Sequence, residues 1–170
     1  CFDISTIQGA ETVGSMVVSE DGRMQRHDYR KYRIRALQTD TGHPNDFAAM
    51  EEVVFRRYRR LLEQGGPFPD LVIIDGGKGH LSSALQVFLE LGIHDIPLAS
   101  LAKENEELFV PQTPEPIVLS RNSNGLFLVQ RARDEAHRFA ITYHRKKRAK
   151  TTIRSSLDMI PGVGPKRRKH

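Results

Sequence analysis

The chain has 170 residues, 38% of them hydrophobic and 28% charged, with a formal net charge of +5. That length accommodates one domain with a real core and a small appendage, and no apolar run approaches the ~18 residues of a helical membrane span, which excludes one. A single cysteine excludes an internal disulfide and every cysteine-based zinc pattern, and points to a reducing, cytoplasmic setting.

The chain opens without Met or a signal peptide, directly into strand-like sequence, and reads as a fragment of something longer. Phe2-Asp3-Ile4-Ser5 and Ser15-Met16-Val17-Val18 are short strand candidates, separated by the turn at Gln8-Gly9. Tyr32, Ile34 and Ala36 alternate with Lys31, Arg33 and Arg35, a period-2 pattern with one apolar and one basic face. With Glu20-Asp21-Gly22 as the intervening turn, these three strands predict an antiparallel meander.

A polar loop over residues 37–45 ends in Pro44-Asn45-Asp46, a helix start with an Asn cap and an acid in its first turn. Phe47, Met50, Val54 and Leu61 share one face of that helix, and Gly65-Gly66-Pro67 stops it. Leu71-Val72-Ile73-Ile74 then reads as a strand buried on both faces, closed by Asp75 and the glycines at 76, 77 and 79. Leu81, Ala84, Leu85 and Phe88 mark a second amphipathic helix with Gly92 as its stop.

Ile96 to Ala102 is a further buried strand, followed by an acidic patch at 104–107 and a small hairpin from 108–110 and 117–119. A long helix is expected from about Asn124 to Arg148, carrying Arg133, His137, Ala140 and His144 along one stripe. Three antiparallel strands followed by parallel ones, with flanking helices, is the succession of an α/β, ribonuclease H-like fold with a mixed five-stranded sheet. In that arrangement the strands bearing Asp3 and Asp75 lie side by side at the centre, and Asp46 can face them. Residues 1–148 form this domain, 149–154 a linker and 155–170 the start of a further motif.

That last segment, Ser155 to Arg168, joins a Ser-capped helical turn to an Ile-Pro-Gly-Val-Gly hairpin and a basic second-helix start. It resembles a truncated helix-hairpin-helix, in which glycine amides and cations hold DNA phosphates without reading bases. From His144 to His170 there are ten Lys or Arg against the single acid Asp158, while the rest of the chain is mildly acidic. A polyanion partner reached through the tail follows. A solvated disordered tail is the plainer reading of the charge alone.

Carboxylates that converge repel one another, and a divalent cation is what keeps them ionised together. Oxygen ligands suit Mg²⁺ or Mn²⁺, which support in-line phosphoryl displacement, and a nearby histidine can move protons near neutral pH. Each residue also has a plainer reading. Asp3 could face solvent, Asp46 could be only a helix-start acid (favoured from spacing alone), Asp75 a turn residue and His137 a boundary histidine. The turn Gly76-Gly77-Lys78-Gly79 matches neither the GK[ST] nor the G-x-G-x-x-G template, although Lys78 and its amides could contact a backbone phosphate.

The chain resembles the C-terminal half of the UvrC family, the incising subunit of bacterial nucleotide excision repair. The resemblance lies in Cys1 to Ser5, Asp46 to Met50, Asp70 to Gly79, Leu101-Ala102-Lys103, Arg133-Asp134-Glu135-Ala136-His137, His144 to Arg148 and Ile160 to Arg168. It implies an endonuclease cutting on the 5′ side of a lesion in double-stranded DNA. Asp3 and Asp75 would hold Mg²⁺ or Mn²⁺, His137 would assist the water or the leaving group, and Asp46 would be a further functional acid. DNA contacts fall on Lys78, Arg145, Lys146, Lys147, Arg148, Gly162, Gly164, Lys166 and Arg167. On this resemblance the family's 3′-incising domain and its UvrB-binding segment are expected to lie outside these 170 residues. Thr6, Asn45 and His80 depart from the family's usual residues. Two other readings remain: a non-catalytic DNA-binding module on the same scaffold, and a different ribonuclease H-like nuclease such as a junction resolvase.

Overall fold

Alternation within four residues decides the architecture. In the computed structural model, strand β1 (Phe2–Ser5) turns Phe2 and Ile4 to one side and Asp3 and Ser5 to the other. The structure describes residues 1–6, 12–35, 45–103 and 105–158, with side chains at 143, 144 and 146–158 outside the described set. The Gln8-Gly9 turn, most of the 37–45 loop and the hairpin at 160–168 therefore fall outside it.

One sheet organises residues 1–140. Its strands are β1, β2 (Val13–Met16), β5 (Arg30–Arg33), β6 (Val72–Asp75), β7 (Leu98–Ala102), β8 (Glu107–Phe109) and β9 (Ile117–Val118), in the order β5-β2-β1-β6-β7-β8-β9. β1 pairs parallel with β6 and β6 parallel with β7; every other pairing in the sheet is antiparallel. A separate two-stranded hairpin, β3 (Ser19–Glu20) and β4 (Arg23–Met24), interrupts the path from β2 to β5. Two helices, α1 (Asp46–Gln64) and α2 (Lys78–Glu90), cover one face. Their Met50, Val54, Tyr58 and Phe88 close over Phe2, Val72 and Ile74. The start of α3 (Asn124–Asp158) covers the other face, where Leu126 and Val129 pack on Ile73, Ala99 and Leu101.

The expected mixed α/β sheet is present, but with seven strands instead of five. The hairpin at 108–110 and 117–119 does not stand apart: β8 pairs with β7 (Leu101↔Leu108) and carries β9 outward. Buried Leu108 joins the Leu101 cluster, which makes sheet extension the way to hide it. Helix α3 also runs through 149–154, where the composition had suggested a linker. From Leu126 to Asp158 the sequence has no Gly or Pro, and β-branched Thr151, Thr152 and Ile153 lower helix propensity only slightly. Among the described residues, 141–158 belong to a second unit and are helical.

Local signals hold at α1. Asn45 Oδ1 accepts from the Phe47 and Ala48 amides, each at 3.1 Å, and Gly65 closes the helix at φ 74°. Strand β2 begins at Val13, two residues before the expected 15–18, and is buried throughout, Ser15 wholly. A Cβ on Gly14 would overlap the Val53 Cγ2 methyl of α1, so the helix seats against bare backbone there. Gly14→Ala is expected to lower stability by about 1–3 kcal/mol through overpacking. Urea unfolding measures it, and an unchanged midpoint would show that α1 yields at no cost.

Candidate functional site

The parallel register Phe2↔Ile74 sets Asp3 and Asp75, one step further along each strand, side by side in the same row. Strand alternation turns both toward α3: Asp3 lies opposite to Phe2, and Asp75 shares the face of Ile73. Both acids are buried, at 4% and 7% exposure. The chain leaves β6 through Gly76 at φ 144°, where an added Cβ would run into the His80 ring. Only glycine satisfies both limits.

His137 completes the group from α3. Its Nδ1 lies 3.5 Å from Asp3 Oδ2, and single donor atoms of Asp3, Asp75 and His137 all fall within 4.8 Å of one another. The helix is held in place on either side of the imidazole. Ser15 Oγ donates to the Ala136 carbonyl at 2.8 Å, Tyr29 Oη to Glu135 at 3.0 Å, and Arg133 to Glu106 at 2.8 Å. Ala136 and Ala140 are buried completely, which lets α3 come close to the sheet.

The electrostatics are unfavourable by construction. Burial pushes the Asp3 carboxyl up to about 7; the neighbouring Asp75 and, less, Asp46 add to the rise, while Lys103 opposes it. Lys103 Nζ stands 3.2 Å from Asp75 Oδ2, without the alignment of a hydrogen bond. Asp3 Oδ2 and Asp75 Oδ2 are buried with no hydrogen-bond partner. Two hollows of about 340 Å³ each meet at Lys103, which lines both. One is lined by Asp3, Asp46, Asp75, Gly77 and His80, the other by Glu106, Arg133, Asp134 and His137.

This donor set fits a hard divalent cation. It offers carboxylate oxygens with vacant lone pairs and one imidazole nitrogen. Its separations are only slightly wider than the ~4 Å that two bonds of about 2.1 Å can span. The orphaned oxygens are the specific mark of fit, because buried acceptors in folded proteins are otherwise satisfied.

Of the residues singled out in the sequence, Asp3, Asp75 and His137 meet, and Asp46 lines the same cleft from the first turn of α1. Lys78 is exposed at the start of α2, and its Nζ donates to the Pro114 carbonyl at 2.8 Å. Arg145 is exposed on α3; Lys146, Lys147 and Arg148 are helical, with side chains outside the described set. Gly162, Gly164, Lys166 and Arg167 also lie outside the described residues. Sequence reasoning gave no role to Lys103 or His80. The one available signal for Lys103 was its place just beyond the carboxyl end of a buried strand adjoining that of Asp75.

A family model described as the UvrC RNase H endonuclease domain matches residues 1–141. The chain is also similar to UvrABC system protein C of Gloeobacter violaceus, 51% identical over 170 residues covering 99% of this chain and 27% of the relative. For the same protein of Flavobacterium psychrophilum the figures are 49% over 167 residues, 98% and 27%. For that of Salinibacter ruber they are 51% over 166 residues, 97% and 26%. The chain thus spans about a quarter of the length of these relatives.

The raised Asp3 pKa has a stability consequence with a definite sign. An unfolded Asp ionises near pH 4, whereas folded Asp3 holds its proton to about pH 7. The site therefore costs nothing below pH 4, costs progressively more up to pH 7, and reaches its full penalty above that. With metal chelated, Asp3→Asn should raise Tm at pH 8 by about 2–4 °C or more, and by much less at pH 4.5. Equal shifts at both pH values in thermal melts would contradict the assignment.

Proposed function

The chain belongs to the UvrC RNase H endonuclease domain family, and from that premise we propose that it is a divalent-metal-dependent DNA endonuclease. Within a longer UvrC protein working with UvrB, it would cut on the 5′ side of a lesion during nucleotide excision repair. The observation that carries the reading is the pair of buried, hydrogen-bond-free carboxylate oxygens beside His137. A non-catalytic DNA-binding module has no use for two buried acids that repel a polyanion.

Asp3 and Asp75 would hold Mg²⁺ or Mn²⁺, with the His137 nitrogen alongside. A cation bound there supplies positive charge for the phosphodiester's developing negative charge and a Lewis acid for its oxygen. The remaining work belongs to the chain. His137 is half exposed, so its ring can reach a water or a leaving oxygen while Asp3 orients it. Asp46 adds negative potential at the mouth of the cleft and reinforces cation binding. The free amides at the N-terminus of α2 favour an anionic phosphate.

Lys78 can share one of its ammonium protons with a DNA phosphate while keeping its bond to Pro114. Arg145 to Arg148, and Gly162, Gly164, Lys166 and Arg167 further on, would hold the duplex backbone, giving strongly salt-dependent affinity.

Nicking of supercoiled plasmid in Mn²⁺, against a chelator control, tests the reading. Asp3→Asn and Asp75→Asn are each expected to lower the nicking rate by at least about 10²-fold with duplex affinity nearly intact; wild-type rates in either variant would defeat it. For His137→Ala, about 10²-fold loss of single-turnover rate is expected, with little change in Kd. A loss confined to binding would remove His137 from the chemistry.

A further inference from the structure

Half of the sixteen Lys and Arg residues in 1–143 fall in two short stretches, four in residues 30–35 and four in residues 56–60. Topology brings the stretches together. The first is the edge strand β5 with its continuation; the second lies on α1. Arg56 Nη1 donates to the Arg33 carbonyl at 2.8 Å, and the Arg35 amide donates to Glu52 at 2.7 Å. Burial raises the pKa of the Tyr32 hydroxyl, and the positive charges of Arg57, Arg30, Arg56 and Arg60 all pull against that rise. The Arg56 guanidinium also faces the Tyr32 ring at 5.4 Å.

The acids close by are fewer. Glu52 pairs with Arg56 and Glu63 with Arg59, leaving the patch strongly positive on a body that is net acidic. Charging an edge strand guards against sheet-to-sheet aggregation, but that does not explain four arginines within five residues of the neighbouring helix.

The patch has a fixed relation to the cleft. Lys31 pairs with Ser15, and Ser15 with Asp3, so Lys31 and Asp3 occupy one register row two strands apart, roughly 10 Å; Lys31 lies on the α3 face, its Nζ over the Phe139 ring at 4.0 Å, whereas Tyr32 and the α1 arginines lie on the other face of the same sheet edge. None of the cations assigned above to DNA, Lys78 or those from Arg145 onward, belongs to it.

We infer that the β5–α1 arginine patch is a second nucleic-acid contact, which grips the phosphate backbone of duplex DNA at the β5 edge of the sheet, away from the acidic cleft. The inference rests on the nuclease reading for its choice of polyanion. Arginine suits the role, since its planar fork binds phosphate bidentately and carries no base preference on the backbone. The contact is therefore indifferent to sequence and sensitive to salt.

The test uses the full chain in chelator, so that nothing is cut, with a short undamaged duplex titrated between about 50 and 200 mM salt. Arg57→Glu/Arg60→Glu should weaken binding by at least about tenfold at the lower salt and reduce the slope of log K against log salt by about 2. Arg23→Glu/Arg121→Glu removes the same charge at two other exposed positions and should leave the slope nearly unchanged. Equal effects from both pairs, or none from the first, overturn the inference; the latter would turn attention to an acidic protein surface as partner. Should the first pair fail to fold, Arg57→Gln/Arg60→Gln should still reduce the slope. Plasmid nicking by the wild-type chain in Mn²⁺ separates the two readings. Patch-dependent duplex binding without any nicking would retire the nuclease and keep the patch.

Discussion

Two carboxylates buried on neighbouring strands, on the same face, each with one oxygen that has no hydrogen-bond partner, are the constraint around which the molecule is built. Like charges in a poorly solvated site are expensive, and removing water from them makes the repulsion worse. The Asp3 pKa near 7 expresses that cost in the metal-free state. The fold can bear it because the opposite face of the sheet is closed by α1 and α2 over an uninterrupted apolar layer. Stability is concentrated on one side of the sheet and cation demand on the other.

The third member of the site needs different support. His137 sits on a helix, so its position is only as good as the docking of α3. That docking uses polar anchors along with apolar area. Ser15 reaches a helix carbonyl, Tyr29 and Arg133 engage acids, and two alanines permit close approach. All of these flank the imidazole within two helical turns. A histidine half exposed and yet held by its backbone can move protons without losing its aim.

What could be read from the sequence divides along physical lines. The Asn45 cap, the Gly65 stop and the aliphatic run before Asp75 are local signals, and the first two reappear as drawn, while the strand takes in Val72–Asp75 and leaves Leu71 exposed. The pairing of Asp3 with Asp75 is not local, and it became legible only through the succession of elements. Strand β2 was expected at 15–18 and lies at Val13–Met16, taking in Gly14 beside Ser15. Their burial comes from Val53 on one face and Ala136 on the other, tertiary partners that no window of sequence contains. Lys103 was silent for the same reason: a lysine after a strand is ordinary until the adjoining strand ends in an unneutralised acid. At 149–154 an expected break was absent, since composition suggested a linker where no residue stops a helix.

The placement of cations around the cleft follows from screening. A lysine or arginine in contact with the acids competes with a divalent ion, as Lys103 does from one side. Lys31 stands roughly 10 Å away, two strand spacings along the sheet, about a Debye length at physiological ionic strength, and the α1 arginines lie on the other face from the acids. Neither group touches Asp3, so its demand for a metal is undiminished, yet their summed field still draws a polyanion to the edge of the sheet. Setting the arginines on β5 and α1 thus separates two tasks that would conflict at one position: holding phosphate, and leaving the carboxylates in need of a cation.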